Sequence, residues 1–150
     1  MLWTTACSAT RDAGTAAPAV VAASDVARWR HPSLGLIRLE HWDNALGQGK
    51  AAANSLLHGE GAQPFAPIPY VWSDQYDRRL QIVGHPIAGD QSIVVSGSLE
   101  QCDFVALYGR RGRLTAGLAV NQPRAMRQVR ELLREHASFE TAIARLCAKA

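Results

Sequence analysis

The spacing of the hydrophobic positions divides this chain into parts that predict different elements. Residues 40–57 repeat apolar side chains every three or four positions, which predicts an amphipathic helix. Gly47 and Gly49 lie inside it, and glycines at such positions indicate the close approach of another backbone or a ligand. Before this helix, residues 20–23 predict a short buried strand and residues 28–35 predict a loop.

The pattern changes after a proline-rich stretch. Residues 58–69 contain three prolines and two glycines, a composition typical of a linker. Beyond it the apolar period drops to two, and Gly112 is suited to a tight hairpin. Pro123 and Ser138 are suited to begin two helices. The predicted strands are residues 79–83, 92–96, 104–108 and 114–120.

The order of these elements predicts the fold class. Strands followed by helices indicate an α+β fold, with an antiparallel sheet that helices cover on one face. We expect two domains, residues 1–62 and residues 63–150, with the boundary inside the proline-rich stretch.

Composition and charge limit the kinds of partner and the cellular compartment that we expect for this protein. The formal net charge is only +3, with basic and acidic residues interleaved, so the sequence does not favour nucleic acid. No apolar run approaches the ~20 residues of a membrane span, and no export signal is recognisable. The three cysteines form no C-x-x-C pair, so we expect buried, reduced thiols in a cytoplasmic protein.

The common catalytic and ligand-binding patterns are missing from the sequence. No G-x-G-x-x-G follows a predicted strand, and Ser24 and Asp25 have no base at the spacing of a hydrolase triad. The histidines lack metal-ligand spacing and are expected on the surface or in loops. We therefore assign no metal ligand and no catalytic residue. The histidines are His31, His41, His58, His85 and His136.

Two uncommon sequence strings indicate a resemblance to a known protein family. Residues 38–45 read RLEHWDNA and are followed by QGKAA at residues 48–52, and residues 69–77 read PYVWSDQYD. In this order and across this gap, they resemble FAD-dependent NAD(P)H:ferredoxin reductases, which serve bacterial oxygenase and cytochrome P450 systems. The resemblance covers roughly residues 18–135 and corresponds to the C-terminal part of such an enzyme. It implies a strand-loop-helix remnant of a Rossmann-like FAD-binding domain, followed by the reductase C-terminal domain.

The resemblance implies a role in FAD binding for four residues. Asp25 matches the aspartate that hydrogen-bonds the ribityl chain, His41 and Trp42 match the start of a helix that approaches the flavin pyrimidine edge, and Trp72 matches an aromatic near the isoalloxazine. Other interpretations stay open. Asp25 is also suited to a turn or a cap, Trp42 to a core anchor, and Trp72 to a domain interface.

The sequence departs from the family in two ways. Ser24 stands where the family has a glycine before the ribityl aspartate, so we expect either backbone strain or a displaced backbone. The dinucleotide fold, with its FAD pyrophosphate loop, and the NAD(P)H domain are not encoded here, which leaves a partial FAD site. We therefore expect the chain to be inactive alone, and the sequence does not decide whether it is an enzyme. We expect residues 1–60 to be loosely ordered, or paired with an N-terminal FAD- and NAD(P)H-binding chain or in a homodimer.

The resemblance implies an acidic [2Fe-2S] ferredoxin as partner, and arginines are frequent in the C-terminal half. These arginines are expected to form a docking face or simply a solvated surface. A non-catalytic dimerisation or ferredoxin-docking module without flavin is the alternative function, and a non-functional remnant is a third. The arginines are Arg110, Arg111, Arg113, Arg124, Arg127, Arg130 and Arg134.

Overall fold

A computed structural model describes residues 20–58 and 63–148, together with the backbone of residues 7–9. The chain forms two compact units, Met1–Pro67 and Ile68–Ala150. Within residues 20–58 and 63–148, no helix is both long and apolar enough to cross a bilayer.

The first unit contains a small three-stranded sheet. Its strands are β1 (Cys7–Ala9), β2 (Ala27–His31) and β3 (Gly35–Ile37), with β2 in the middle, parallel to β1 and antiparallel to β3. The loop predicted over residues 28–35 is therefore wrong for residues 28–31, which belong to β2, and only residues 32–34 form the turn expected at its end. Buried and exposed side chains alternate along β2, as they do in a strand with one covered face, and the arginines occupy the exposed positions.

The strand predicted at residues 20–23 is also wrong. Val20 is exposed, and a short 3-10 helix, Ser24–Val26, follows directly. Ser24 has a φ of 71°, in the left-handed region, and this conformation ends any extended segment at that point.

The core of the first unit forms around Trp29, which is only 1% exposed. Its indole N–H donates to the Phe65 carbonyl at 3.3 Å, and the centroids of the Trp29 and Phe65 rings lie 5.6 Å apart. His31 is also buried, contrary to the expected surface position. Its Nδ1 accepts from the Ser33 N–H at 3.1 Å, so its Nε2 donates to the Pro67 carbonyl at 3.0 Å.

Helix α1 (Trp42–His58) confirms the predicted amphipathic helix, but polar groups lie on its buried side. Its buried residues are Asn44, Gln48 and Ala52. A Cβ atom at Gly47 would lie 3.0 Å from the Phe65 ring, which explains that glycine, whereas a Cβ at Gly49 would meet nothing within 4 Å. The large apolar side chains are exposed instead: Trp42, Leu46, Leu56 and Leu57.

The second unit is an antiparallel sheet of five strands in the order β4-β5-β8-β7-β6. The four predicted strands are confirmed, and each is longer than predicted. The additional strand β4 lies within the second string, residues 69–77, where no strand was predicted. Arg111 and Gly112 both have positive φ in the hairpin between β7 and β8. The strands are β4 (Tyr70–Gln75), β5 (Arg78–Gly84), β6 (Gln91–Ser98), β7 (Asp103–Arg110) and β8 (Arg113–Val120).

Two helices cover one face of this sheet, which confirms the predicted α+β fold. They are α2 (Pro123–Arg134) and α3 (Phe139–Cys147), and the Ser138 hydroxyl caps α3 by accepting from the Thr141 N–H at 3.0 Å. A Cβ at Gly117 would lie 2.8 Å from Val129 of α2, so the absence of a side chain there lets the helix approach the strand. The buried core consists of Val83, Val95, Val105, Leu107, Leu114, Ala119, Met126, Val129, Leu132, Ala142 and Leu146.

The cysteines differ from their expected burial. Cys102 lies exposed in the turn between β6 and β7, and Cys147 is exposed at the end of α3. The side chain of Cys7 lies outside the described residues.

Candidate functional site

Asp25 lies in the 3-10 helix with its side chain exposed. The Ser24 hydroxyl donates to its Oδ1 at 3.2 Å, and the carboxylate keeps further lone pairs for other donors. Ser24, which replaces the family glycine, adopts the left-handed φ of 71° that a glycine would take. Of the two expected consequences of this replacement, this φ corresponds to backbone strain at Ser24.

Gln48 joins this turn to helix α1. Its side chain is 2% exposed, and its Oε1 accepts the backbone N–H of Ser24 at 2.5 Å, although the two residues are 24 positions apart in the chain. This residue was not among the predicted site residues. A polar residue at a helical position in line with Asn44 was the available signal, but the sequence does not show which face of α1 is buried.

His41 and Trp42 lie at the beginning of α1. The His41 carbonyl accepts the Ala45 N–H at 2.9 Å, which closes the first turn, and the N–H groups of that turn point out of the helix end. Trp42 is 66% exposed, so its interpretation as a core anchor is wrong. Asn44 fixes the entry to the helix by donating from Nδ2 to the Leu39 carbonyl at 2.9 Å.

Trp72 lies half-buried on β4 and stacks on Tyr70, with ring centroids 5.7 Å apart and planes 25° apart. The guanidinium of Arg130, on α2, lies 4.8 Å from the centre of the Tyr70 ring, a cation–π distance. Gln81 donates from Nε2 to the Tyr70 hydroxyl at 2.7 Å, and its Oε1 is buried without a partner among the described residues. Trp72 is therefore held within a cluster that combines residues from β4, β5 and α2.

The remaining polar residues of the second string support the β4–β5 hairpin. Gln75 donates to the Ser73 hydroxyl at 2.7 Å, and Asp74 lies 3.8 Å from Arg79 on the neighbouring strand. These contacts are exposed and stabilise the hairpin that carries Trp72.

Asp90 forms a partly buried ion pair in the second unit. Its side chain is 1% exposed and accepts from Arg110 Nε at 2.6 Å and from the Thr115 hydroxyl at 3.0 Å. The hydrogen bond from Arg110 holds the pKa of the Asp90 carboxyl below its ordinary value, against the opposing effect of burial. The Ile87 N–H and Thr115 bonds lower that pKa further, and the same ion pair raises the pKa of Arg110.

The C-terminal arginines do not form one surface. Arg111 lies in the β7–β8 hairpin and Arg113 is the first residue of β8, whereas Arg124 and Arg127 follow the other end of that strand. The eight residues of β8 separate the two places by about 24 Å. Arg110 is bound to Asp90, Arg130 lies over Tyr70, and Arg134 pairs with Glu131.

The part of the chain that the structure describes contains no group of three or more acidic, histidine or cysteine side chains arranged to hold a metal ion.

Comparison with known proteins gives these residues a family context. Residues 70–147, more than half of the chain, match the family model for the reductase C-terminal domain. The chain belongs to the reductase C-terminal family. This match, together with the relatives described next, confirms the resemblance noted from the two strings, and β4 with Trp72 lies inside the matched region.

The proteins that are similar in sequence to this chain include reductase components of dioxygenase systems. The chain is 40% identical, over 126 residues, to a ferredoxin–NAD(+) reductase component of the anthranilate 1,2-dioxygenase system of Burkholderia cepacia, covering 81% of this chain and 30% of that protein. The crystal structure of Fdr9 matches with a TM-score of 0.78 at 32% identity, over 88% of this chain and 35% of Fdr9.

A covalent complex of putidaredoxin reductase with putidaredoxin matches with a TM-score of 0.75 at 29% identity, over 96% of this chain and 36% of the matched chain. The chain thus spans about 30% of the length of the curated relatives it matches.

Proposed function

We propose that this chain supplies the C-terminal part of an FAD-dependent reductase that passes electrons from NAD(P)H to a [2Fe-2S] ferredoxin. In this proposal, residues 1–62 are the end of the FAD-binding domain and residues 63–150 are the reductase C-terminal domain. The names of the relatives, which are ferredoxin–NAD(+) reductase components, support this class of reaction.

The observation that carries the proposal is the arrangement of α1 and the 3-10 helix. Gln48 of α1 holds the turn at Ser24 while the neighbouring Asp25 carboxylate and Trp42, the first residue of α1, are both exposed. A carboxylate that can accept hydroxyl donors and a helix end with outward N–H groups are the chemistry that a ribityl chain and a flavin pyrimidine edge require. The residues present therefore fit FAD.

Each residue has a distinct role in this proposal. When bound, FAD converts a hydride into single electrons. Asp25 accepts hydrogen bonds from the ribityl hydroxyls. His41 and Trp42 place the positive end of the α1 dipole beside the pyrimidine edge, where it stabilises negative charge. Trp72, held by Tyr70, would contribute an aromatic contact to the flavin.

We propose an acidic ferredoxin as the partner, bound through α2. Arg124 and Arg127 are exposed, and within the described residues neither forms an ion pair. Basic residues without an internal partner keep their full attraction for an acidic surface.

Flavin colour tests the proposal. The chain is purified alone and after co-expression with the segment of the Burkholderia cepacia relative that precedes the matched region, each with added FAD. We expect the co-expressed assembly to retain FAD through gel filtration and to show flavin absorbance. Colourless protein in both preparations contradicts the flavin role. If such protein still binds an acidic ferredoxin at low salt, the non-catalytic docking function is favoured instead.

A further inference from the structure

We propose that Gln48 is a positioning residue: it holds Ser24 in the left-handed conformation and thereby fixes the direction of the Asp25 carboxylate. The inference deepens the proposed function, on which it rests, because the ligand toward which Asp25 is directed is FAD.

The hydrogen bond between Gln48 and Ser24 is the central observation. The Gln48 Oε1 is 2.5 Å from the Ser24 nitrogen, and the glutamine side chain is almost completely buried. The 3-10 helix has no side-chain cap of its own, and the Ala27 N–H donates to the Ser24 carbonyl at its end. The buried amide of Gln48 therefore satisfies the N–H group at which the turn begins, which would otherwise lack a partner.

The conformation of Ser24 explains why such an anchor is needed. A residue with a Cβ atom rarely adopts a φ of 71°, and Ala23 immediately before it is extended at −141°. If Ser24 relaxed to the extended region, the chain direction would change one residue before Asp25. The contact from the Ser24 hydroxyl to Asp25 Oδ1, at 3.2 Å, is exposed and is too weak a restraint to hold the carboxylate alone.

Glutamine suits this position for two reasons. Its amide oxygen is a strong neutral acceptor, so it can be buried without the cost of an isolated charge. Its length also lets a helix residue reach across to the turn, whereas methionine has a similar length and lacks the acceptor. The pairing of a buried neutral acceptor with a strained serine distinguishes a positioning role from simple packing.

The test compares Gln48→Met, the double variant Ser24→Gly/Gln48→Met, and Gln101→Met as a control in an exposed turn. Amide hydrogen exchange of Ser24 is measured by NMR on the chain itself, and the FAD dissociation constant is measured on the co-expressed assembly. We expect Gln48→Met to accelerate Ser24 exchange and to weaken FAD binding about tenfold, the worth of one lost buried hydrogen bond. The control should leave both quantities unchanged.

Rescue by glycine is the decisive readout. Because glycine populates the left-handed region without an anchor, we expect the double variant to bind FAD within about threefold of the wild type. A merely structural role for Gln48 would not be rescued at Ser24. Gln48→Asn, which keeps the amide but is too short to reach Ser24, replaces Gln48→Met if that variant does not fold.

Four results overturn the inference. Unchanged Ser24 exchange in Gln48→Met shows that the glutamine does not hold the turn. Faster exchange with unchanged FAD affinity, or weakened affinity without rescue, shows that the turn does not direct Asp25 toward FAD. Failure of the wild-type assembly to bind FAD overturns the proposed function together with this inference, and it is recognised because it appears before any substitution is made.

Discussion

At the scale of single residues, Ser24 adopts a backbone conformation that costs a serine more free energy than the glycine of the family pattern. The serine occupies a φ of 71° that the family position leaves to glycine. Non-glycine residues in this region cost about 1–3 kcal/mol. Part of this cost is offset because serine restricts the unfolded chain more than glycine does.

Replacing Ser24 by glycine should therefore stabilise the first unit. We expect Ser24→Gly to raise the free energy of unfolding by about 0.5–1 kcal/mol, measured by chemical denaturation. Ser92→Gly, in the exposed part of β6 where φ is negative, is the matched control and should lower it. Equal effects of the two substitutions would show that Ser24 is not strained.

Asp90 gives the second unit a defined dependence on pH. Because its pKa is lowered in the folded state, its contribution is fully present above the ordinary carboxyl value of 3.8 and is lost as the pH falls below it. We expect urea unfolding to show reduced stability at pH 3 relative to pH 6, and Asp90→Asn to make this decrease smaller. At pH 6 the variant should lose about 1–3 kcal/mol, mainly from unsatisfied donors. An unchanged pH dependence in Asp90→Asn would contradict this assignment.

At the scale of elements, close approach to the sheet depends on two glycines. A Cβ at Gly109 would lie 2.5 Å from the Phe139 ring, so α3 could not keep its present position over β7. A Cβ at Gly117 would likewise lie too close, 2.8 Å, to the Val129 side chain of α2. The packing of both helices thus relies on positions where the strand carries no side chain.

Alanine at Gly109 should destabilise the second unit by about 1–3 kcal/mol, as overpacking does. Gly49→Ala is the matched control: nothing lies within 4 Å of its Cβ position, and alanine favours helices, so it should stabilise α1 by up to about 1 kcal/mol. Thermal unfolding of the two variants checks both signs. A neutral effect at Gly109 would show that α3 moves away without cost.

The same elements show what the sequence can and cannot predict. Strand periodicity and helix-capping residues were sufficient to predict β5 to β8, α2 and α3, because these sequence patterns lie within each element itself. β2 was missed because its arginines resembled loop residues, although Ala27, Trp29 and His31 alternate with them as a strand requires. β4 was missed because Tyr70, Val71 and Trp72 are apolar in succession and show no alternation.

The candidate site depends on contacts between distant residues, and these are the least predictable. The two strings identified Asp25, His41, Trp42 and Trp72 through resemblance to a family. They did not reveal that Gln48 contacts Ser24 or that Arg130 lies over Tyr70, because each pair is joined only by tertiary folding. The burial of polar residues on α1 likewise follows from its neighbours and not from its own pattern.

At the scale of the whole molecule, the separation of the basic residues makes ferredoxin docking testable. We expect Arg124→Glu/Arg127→Glu to slow association with an acidic ferredoxin at least tenfold at low salt, because charge reversal removes steering. Arg111→Glu/Arg113→Glu changes the net charge equally at the other end of β8 and should have a much smaller effect. Stopped-flow association at low and high salt separates the two. Equal losses would indicate a response to net charge rather than to a docking face.

The ring of Tyr70 connects the helix that carries these arginines with the strand that carries Trp72. It contacts the Arg130 guanidinium and stacks on the indole, so one rigid side chain spans both. A carboxylate arriving on α2 would compete with the aromatic face for the same guanidinium. The fluorescence of Trp72 would then change when a partner binds, without any movement of the main chain.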